Sequence, residues 1–278
     1  MPILTASDGQ PLHFADEGAG PAILLVHGWS AHGGYFGPQR VALQRRFRVV
    51  TPDLRGHRRS RRAGGRPAMA DLARDLREVL DYLDLEGVVA VGWSMGATAL
   101  FEYLATFGPH RLGGLVIEDM TARIVNDETW SLGVRDGFTA EHSAVTVAAM
   151  RANWPAYAAA LSALFFADTG CRDPKLPAWV DEQVADNDPD LLASLWQSMA
   201  ESDFRDLMPR LDLPVVVADG ARSRVYTPAT GDWMAAAIPG ARRVTFAKSG
   251  HSPHLEEADA FTRMLAAFAD EVRSAPGS

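Results

Sequence analysis

The chain has 278 residues, of which 47% are hydrophobic and 22% charged, a composition ordinary for a soluble globular protein. Its formal net charge of -8 argues against a general affinity for nucleic acid or for anionic membranes. The single cysteine, Cys171, excludes an internal disulfide, and no apolar run approaches the length of a membrane span. The opening residues lack a basic start followed by an apolar run, so we expect a cytoplasmic protein. No feature of the sequence specifies an oligomeric state.

The first predicted elements are three strands. Residues 3–6 and 11–15 flank Asp8-Gly9, a turn signal that predicts a β-hairpin at the edge of a sheet. Residues 21–26 form a continuous apolar run, which is typical of a strand buried on both faces of a parallel sheet.

Polar residues follow these strands. We interpret His27 as structural and expect His32 to face solvent. The next strand begins at Phe47 and leads to Asp53, an acid that could be catalytic but that we expect to hydrogen-bond the loop after it. The arginine-rich loop that comes next could bind an anionic partner, but charge runs commonly solvate loops, and we favour that interpretation. Its arginines are Arg55, Arg58, Arg59, Arg61, Arg62 and Arg66.

Alternating helix and strand signals continue from there. Residues 69–83 place leucine and valine on one helical face, with an aspartate in the first turn, and predict a helix. Short buried strands are predicted over 88–91 and 115–119, with a helix between them. This order of elements indicates right-handed crossovers in a parallel sheet.

Residues 92–96 read G-W-S-M-G and join the strand over 88–91 to a helix that begins at Met95. When a strand turns directly into a helix, the turning residue is strained and its side chain points outward. Glycines two positions before and after it leave the necessary room. Ser94 would then present its hydroxyl at the mouth of the sheet. The amides of Trp29 and Met95 would form an oxyanion hole above it.

The alternation of strands and helices stops over residues 122–211. They contain no clear buried strand, and we predict a helical cap inserted between the core segments 1–121 and 212–278. Most of its aromatic residues would pack the insertion's own core, while some should line an apolar pocket. Its tryptophans are Trp130, Trp154, Trp179 and Trp196, and its helical runs over 144–164 and 191–199 are broken by prolines.

The sheet resumes after the insertion. Strands are predicted at 214–218 and 242–246, and a closing helix over 256–272. The elements together predict an α/β fold with a mostly parallel central sheet flanked by helices.

Four motifs resemble the α/β-hydrolase family in order and spacing, and the similarity covers nearly the whole chain outside the insertion. The resemblance implies that Ser94 is the nucleophile and His251 the base, because the family orders nucleophile, acid and histidine along the chain. His254 is an alternative, either as the base or as a pocket residue. The motifs are H-G-W at 27–29, P-D-L-R-G-H at 52–57, G-W-S-M-G at 92–96 and S-G-H-S-P-H-L-E-E at 249–257.

The acid of the triad departs from the family's usual pattern. The family usually places an aspartate in a G-x-x-D stretch after the strand that follows the cap, where this chain has Ser223. Some relatives, including haloalkane dehalogenases and a group of fungal-lactone hydrolases, carry the acid at the end of the strand before the cap. That strand ends here in Glu118-Asp119. Alternation along the strand favours Asp119, with Asp219 and Glu118 as open alternatives.

The residues and the resemblance together predict a serine hydrolase of carboxylic esters or lactones, working through an acyl-enzyme on an apolar or aromatic small molecule. No cofactor is required, and no metal-ligand spacing is present. Carbon-carbon bond hydrolysis and acyl transfer can use the same triad, and a catalytically silent ligand-binding protein of this fold is a further alternative. The candidate pocket residues are Trp93, Trp130, Trp154 and His254.

Overall fold

The computed structural model describes residues 3–61 and 65–274, which contain one sheet of eight strands. Numbered along the chain, the strands are β1 (Ile3–Thr5), β2 (Pro11–Glu17), β3 (Ala22–Val26), β4 (Arg48–Pro52), β5 (Val88–Trp93), β6 (Leu112–Glu118), β7 (Val215–Gly220) and β8 (Arg242–Phe246). They pair in the order β1-β2-β4-β3-β5-β6-β7-β8. The two pairings that involve β2 are antiparallel and the other five are parallel.

Ten α-helices lie within the described residues, and none of them is both long and apolar enough to cross a bilayer. Six belong to the sheet-forming part of the chain and four lie between β6 and β7. They are α1 (Gly37–Leu43), α2 (Met69–Tyr82), α3 (Met95–Phe107), α4 (Ala140–Ala152), α5 (Trp154–Leu161), α6 (Lys175–Ala185), α7 (Pro189–Glu201), α8 (Pro228–Ala237), α9 (Pro253–Glu256) and α10 (Ala258–Ser274).

The core of the sheet follows from its apolar runs. Strands β3, β5 and β7 are buried over their full length, as strands covered by helices on both faces must be. Helix α2 packs against α3, whereas α1 packs against α10. The parallel strands therefore end together at one carboxyl edge, where the loops after β3, β5, β6 and β7 meet.

The segment between β6 and β7 is helical, as predicted, although its helices differ in detail. The predicted run over 144–164 is divided at Asn153, whose φ of −156° and ψ of 79° are not helical. Helix α6 was not predicted, because Pro174 and Pro177 indicated a break there. Pro174 directly precedes the helix and Pro177 lies in its first turn, positions at which the N–H group that proline lacks would have no helical partner.

Gly96 allows α3 to contact the end of β3. A methyl group at this position would collide with the carbonyl oxygens of Val26 and His27. We expect Gly96→Ala to lower the free energy of unfolding by at least about 2 kcal/mol, because the rigid backbone cannot move aside. Urea denaturation measures the loss, with Gly37→Ala as the matched control, since no heavy atom lies within 4 Å of a methyl group there. Equal losses in the two variants would contradict the prediction.

Candidate active site

Ser94 lies at the turn between β5 and α3. Its φ of 52° and ψ of −123° are outside the regions that residues with side chains favour, so the turn is strained. Gly92 leaves the space that the turn needs, because a Cβ atom there would lie 2.5 Å from Cα of Ala97. The amide of Ser94 donates a hydrogen bond of 2.9 Å to the carbonyl of Glu118, which ties the turn to β6.

Trp29 and Met95 carry the two amides predicted to form an oxyanion hole. Met95 is the first residue of α3, where helical geometry leaves the N–H group without a partner in the helix. Among residues 3–61 and 65–274, neither amide donates a hydrogen bond to the protein. Gly28 brings the Trp29 segment close, since a Cβ atom on Gly28 would lie 3.2 Å from Cβ of Ser94. Both amides are therefore available near the serine.

His251 is paired with Asp119 in a buried position, with 2.6 Å between its Nδ1 and Oδ2 of the carboxylate. Asp119 directly follows β6 and has a φ of 43°, a value that aspartate adopts more readily than most residues. Its carboxylate accepts two further hydrogen bonds, from the hydroxyl of Ser223 at 2.8 Å and from the amide of Gly220 at 3.3 Å. Three donors thus hold one buried carboxylate in place.

The other two candidate acids have different partners. Asp219 is held by Arg243, whose Nε and Nη2 atoms lie 2.7 and 2.8 Å from its two carboxylate oxygens. Glu118 is fully buried, and its Oε1 lies 2.9 Å from the amide and 2.8 Å from Nδ1 of His254. Glu118, the last residue of β6, and Asp119, which follows it, therefore contact different histidines. The structure therefore brings neither Asp219 nor Glu118 to His251.

Trp93, the last residue of β5, fixes the loop that carries His251. Its Nε1 donates a hydrogen bond of 2.7 Å to the carbonyl of His251. Glu256 accepts hydrogen bonds from the amides of Gly250 at 2.6 Å and Ala167 at 2.9 Å, and burial raises the pKa of its carboxyl group. The loop that carries His251 is consequently held both by β5, the strand before the turn at Ser94, and by the helical insertion.

A cavity of about 730 Å³, including its open mouth, is lined by both Ser94 and His251. Half of its lining residues belong to the insertion between β6 and β7, and most of them are apolar or aromatic. Such a wall suits the apolar part of a small molecule. The insertion contributes, among others, Ile124, Val134, Tyr157, Leu161, Phe165 and Trp196.

Of the four predicted pocket residues, Trp93 lines this cavity and the other three do not. Trp154 lies behind the wall, stacked at 6.0 Å on the ring of Tyr157. Trp130 packs at 4.7 Å against an indole of α8, away from the cavity. His254 is fully buried in its contact with Glu118 on β6. The prediction that these three residues line the pocket is therefore wrong, because their side chains pack in the protein interior.

Three polar residues of the neighbouring loops make structural contacts. His27 is buried, as expected of a structural residue, and its Nε2 accepts a hydrogen bond of 2.9 Å from an amide in the loop after β4. His32 does not face solvent, because it is half-buried with its Nε2 3.0 Å from Oε1 of Gln183. Asp53 accepts a hydrogen bond of 3.0 Å from the amide of Gly33, in the loop after β3. It was expected to bond the loop that follows it, but it makes no side-chain hydrogen bond to the described residues of that loop.

Most of the described arginines in the arginine-rich loop are exposed, as expected: Arg58, Arg59, Arg61 and Arg66. Arg55 is the exception. The side chain of Arg55 is 12% exposed and lies 2.5 Å from the carboxylate of Asp75 in a buried ion pair. Arg58 donates a hydrogen bond of 3.0 Å to Gln183 of the insertion. Arg55 and Arg58 thus lie near acids outside the loop, Asp75 on α2 and Asp186, which directly follows α6. Arg62 lies outside the described residues.

Residues 21–258 match the family described as alpha/beta hydrolase fold. The chain belongs to this family. It is 30% identical to the pimeloyl-[acyl-carrier protein] methyl ester esterase of Chromobacterium violaceum, over 90% of this chain and 94% of that one. A thermophilic esterase from Thermogutta terrifontis superimposes with a TM-score of 0.86 at 28% identity, over 97% and 98% of the two chains. The enol-lactonase from Burkholderia xenovorans gives a TM-score of 0.83 at 27% identity, over 96% and 99%.

In this α/β hydrolase, the loop after β7 contributes residues that the motifs did not single out. Arg224 and Tyr226 line the cavity, and the Tyr226 ring lies 5.9 Å from that of His251. Burial raises the pKa of the Tyr226 phenol. Their position just after a parallel strand was a usable signal, because ligands of open α/β sheets bind at the carboxyl ends of strands. Among the described residues, no group of three or more His, Cys, Asp or Glu side chains is arranged to hold a metal ion.

His57 makes the stability of this site region depend on pH. Burial lowers the pKa of its imidazole to about 4, and its Nε2 accepts a hydrogen bond of 3.2 Å from the amide of Ser30. Below about pH 6.5 the unfolded chain binds a proton that the folded protein excludes, so the free energy of unfolding falls with decreasing pH.

We expect His57→Gln to reduce the fall in unfolding free energy between about pH 7 and about pH 5 by roughly 2 kcal/mol, at about 1.4 kcal/mol per pKa unit. Glutamine keeps an oxygen that can accept the Ser30 amide, so the variant should fold. Urea denaturation at the two pH values measures the difference. An unaltered pH dependence in the folded variant would show that another group is responsible.

Proposed function

We propose that this chain is a serine hydrolase that cleaves an apolar or aromatic carboxylic ester or lactone through an acyl-enzyme. One arrangement carries the proposal: Ser94 on its strained turn and His251 beside Asp119 line the same largely apolar cavity. The esterases and the enol-lactonase that the chain is similar to support this class of substrate.

In the proposed acylation step, the hydroxyl oxygen of Ser94 attacks the carbonyl carbon while Nε2 of His251 takes the hydroxyl proton. Asp119, 2.6 Å from Nδ1, holds the ring in the tautomer that leaves Nε2 free and stabilises the imidazolium that forms. The negative charge on the carbonyl oxygen is stabilised by the amides of Trp29 and Met95. The alcohol then leaves with the proton from His251, and the acyl group remains on Ser94.

In the proposed deacylation step, His251 removes a proton from a water molecule, and the oxygen of that water attacks the acyl carbon. The same two amides stabilise the second oxyanion. Its collapse breaks the bond to the serine oxygen, which regains a proton from His251 and releases the carboxylic acid. The cycle uses only residues of this chain and water.

The residues 122–211 act in this proposal as a cap over the core segments 1–121 and 212–278. Half of the cavity wall comes from this segment, and its apolar residues would exclude bulk water from the reacting carbonyl. Oxyanion stabilisation is stronger in such a water-poor site, because fewer water dipoles screen the amide charges.

A fluorophosphonate probe tests the proposed nucleophile. An activated serine displaces fluoride and forms a stable bond to phosphorus, so we expect labelling at Ser94 in the wild type and none in Ser94→Ala. Mass spectrometry of proteolytic peptides identifies the labelled residue. A folded wild-type protein that stays unlabelled would favour a ligand-binding protein without catalytic activity.

The two candidate aspartates provide a matched pair of variants. We expect Asp119→Asn to lower kcat by roughly two to four decades, because the amide no longer selects the productive tautomer of His251. Asp219→Asn should leave kcat within a few-fold while it weakens the ion pair to Arg243 and lowers stability. Steady-state kinetics with a p-nitrophenyl ester and urea denaturation measure both effects. The reverse ranking of the two kcat values would overturn the assignment of the acid.

A further inference from the structure

Arg224 is an exposed cation at the mouth of the largely apolar cavity. It lines the cavity together with Ser94 and His251, whereas none of the cavity's described lining residues is acidic. An apolar substrate does not need a guanidinium group at this position. Arg224 would bind an anionic group of the substrate, because a guanidinium presents a rigid fork of donors that matches carboxylate and phosphate oxygens.

The guanidinium of Arg224 has no partner in the part of the chain that the structure describes. Its close neighbour Arg222 lies 3.4 Å from Asp168, and Arg243 on β8 is held by Asp219. Within residues 3–61 and 65–274, the side chain of Arg224 makes neither an ion pair nor a hydrogen bond. A ligand therefore competes only with water for this cation.

The backbone of Arg224 is held in place on both sides. The hydroxyl of Ser223 donates to Asp119 at 2.8 Å and accepts from the amide of Tyr226 at 3.2 Å. The amide of Arg135 donates to the carbonyl of Val225 at 2.9 Å. Because the same short loop contacts the carboxylate beside His251, the backbone from which the Arg224 side chain extends is fixed relative to that histidine.

We propose that the preferred substrate is an apolar ester with an anionic group, a carboxylate or a phosphate, at the end remote from the reacting carbonyl. Arg224 is then a residue that determines specificity by binding that group at the cavity mouth. This inference rests on the proposed esterase function, and it narrows the substrate class. The apolar wall contacts the middle of such a molecule, and Ser94 attacks the carbonyl at its other end.

Two esters of equal chain length test the inference. One is the mono-p-nitrophenyl ester of adipic acid, which ends in a free carboxylate, and the other is its methyl-capped, neutral counterpart. We expect Arg224→Gln to raise KM for the anionic ester by about three- to tenfold and to change KM for the neutral ester less than about twofold. The kcat for both esters should be unchanged, since a remote contact is made equally in the ground and transition states.

Arg222→Gln is the matched control, because it removes the same charge two residues away from a side chain that does not line the cavity. We expect it to leave both KM values unchanged. The preference of the wild type for the anionic ester should also shrink as the salt concentration rises to about 0.5 M, since salt screens an exposed ion pair. No preference in the wild type, or equal loss in the two variants, would overturn the inference while leaving the esterase function standing.

Equilibrium binding separates the inference from the proposed function. Tryptophan fluorescence of Ser94→Ala, titrated with hexanoate, hexyl phosphate and hexanol, gives a Kd for each anion and for a neutral analogue. Tighter binding of the anions that is lost when Arg224→Gln is added supports the cation site, and the better of the two anions identifies the group it prefers. Equal binding of all three would overturn it. If the wild type hydrolyses neither ester, the proposed function fails, and these Kd values still decide the role of Arg224.

Discussion

The close contact between α3 and the sheet is the constraint on which the rest of the site depends. At Gly92 and Gly96 the backbones of β3, β5 and α3 lie so close that no side-chain atom fits. The strand therefore turns into the helix across a single residue, and Ser94 takes a φ of 52°. Backbone strain of this kind costs about 1–3 kcal/mol and persists only where surrounding packing enforces it. The same packing leaves the first amide of α3, on Met95, without a helical partner. One steric arrangement thus places the Ser94 side chain at the cavity and provides a donor for the charge proposed to develop next to it.

Asp119, the proposed acid, lies where two neighbouring parallel strands end. Strands β6 and β7 are adjacent and end at the same edge, so a carboxylate from either can approach the same histidine. In this chain Asp119 directly follows β6, and Ser223 after β7 donates a hydrogen bond to it. Burying a carboxylate costs free energy unless its oxygens accept hydrogen bonds. Here Ser223, at the position where the family usually has the acid, donates one of these hydrogen bonds. The neighbouring pair of Glu118 and His254 fills the opposite face of β6.

The insertion is joined to the site by specific contacts and does more than cover it. The indole of Trp29 donates a hydrogen bond of 2.9 Å to the carbonyl of Leu192 on α7, and its ring lies 5.4 Å from that of Trp196. The backbone of the same residue carries one amide of the proposed oxyanion hole. Glu256 bridges the His251 loop to Ala167 of the insertion. The insertion therefore contacts both the segment that carries Trp29 and the loop that carries His251.

The sequence by itself determined the strands of the sheet, the strand-to-helix turn at Ser94 and the place of the helical insertion. These features depend on glycine spacing, apolar runs and turn residues, whose effects act over a few neighbouring positions. Tertiary structure alone decided that Asp119 pairs with His251, 132 residues away along the chain, and that Asp219 pairs with Arg243. It also decided that the side chains of Trp130, Trp154 and His254 do not line the cavity. It also placed Arg224, which has no ion-pair partner among the residues the structure describes, at the cavity mouth. Such outcomes depend on which side chains converge from distant segments, and a local pattern carries no information about that convergence.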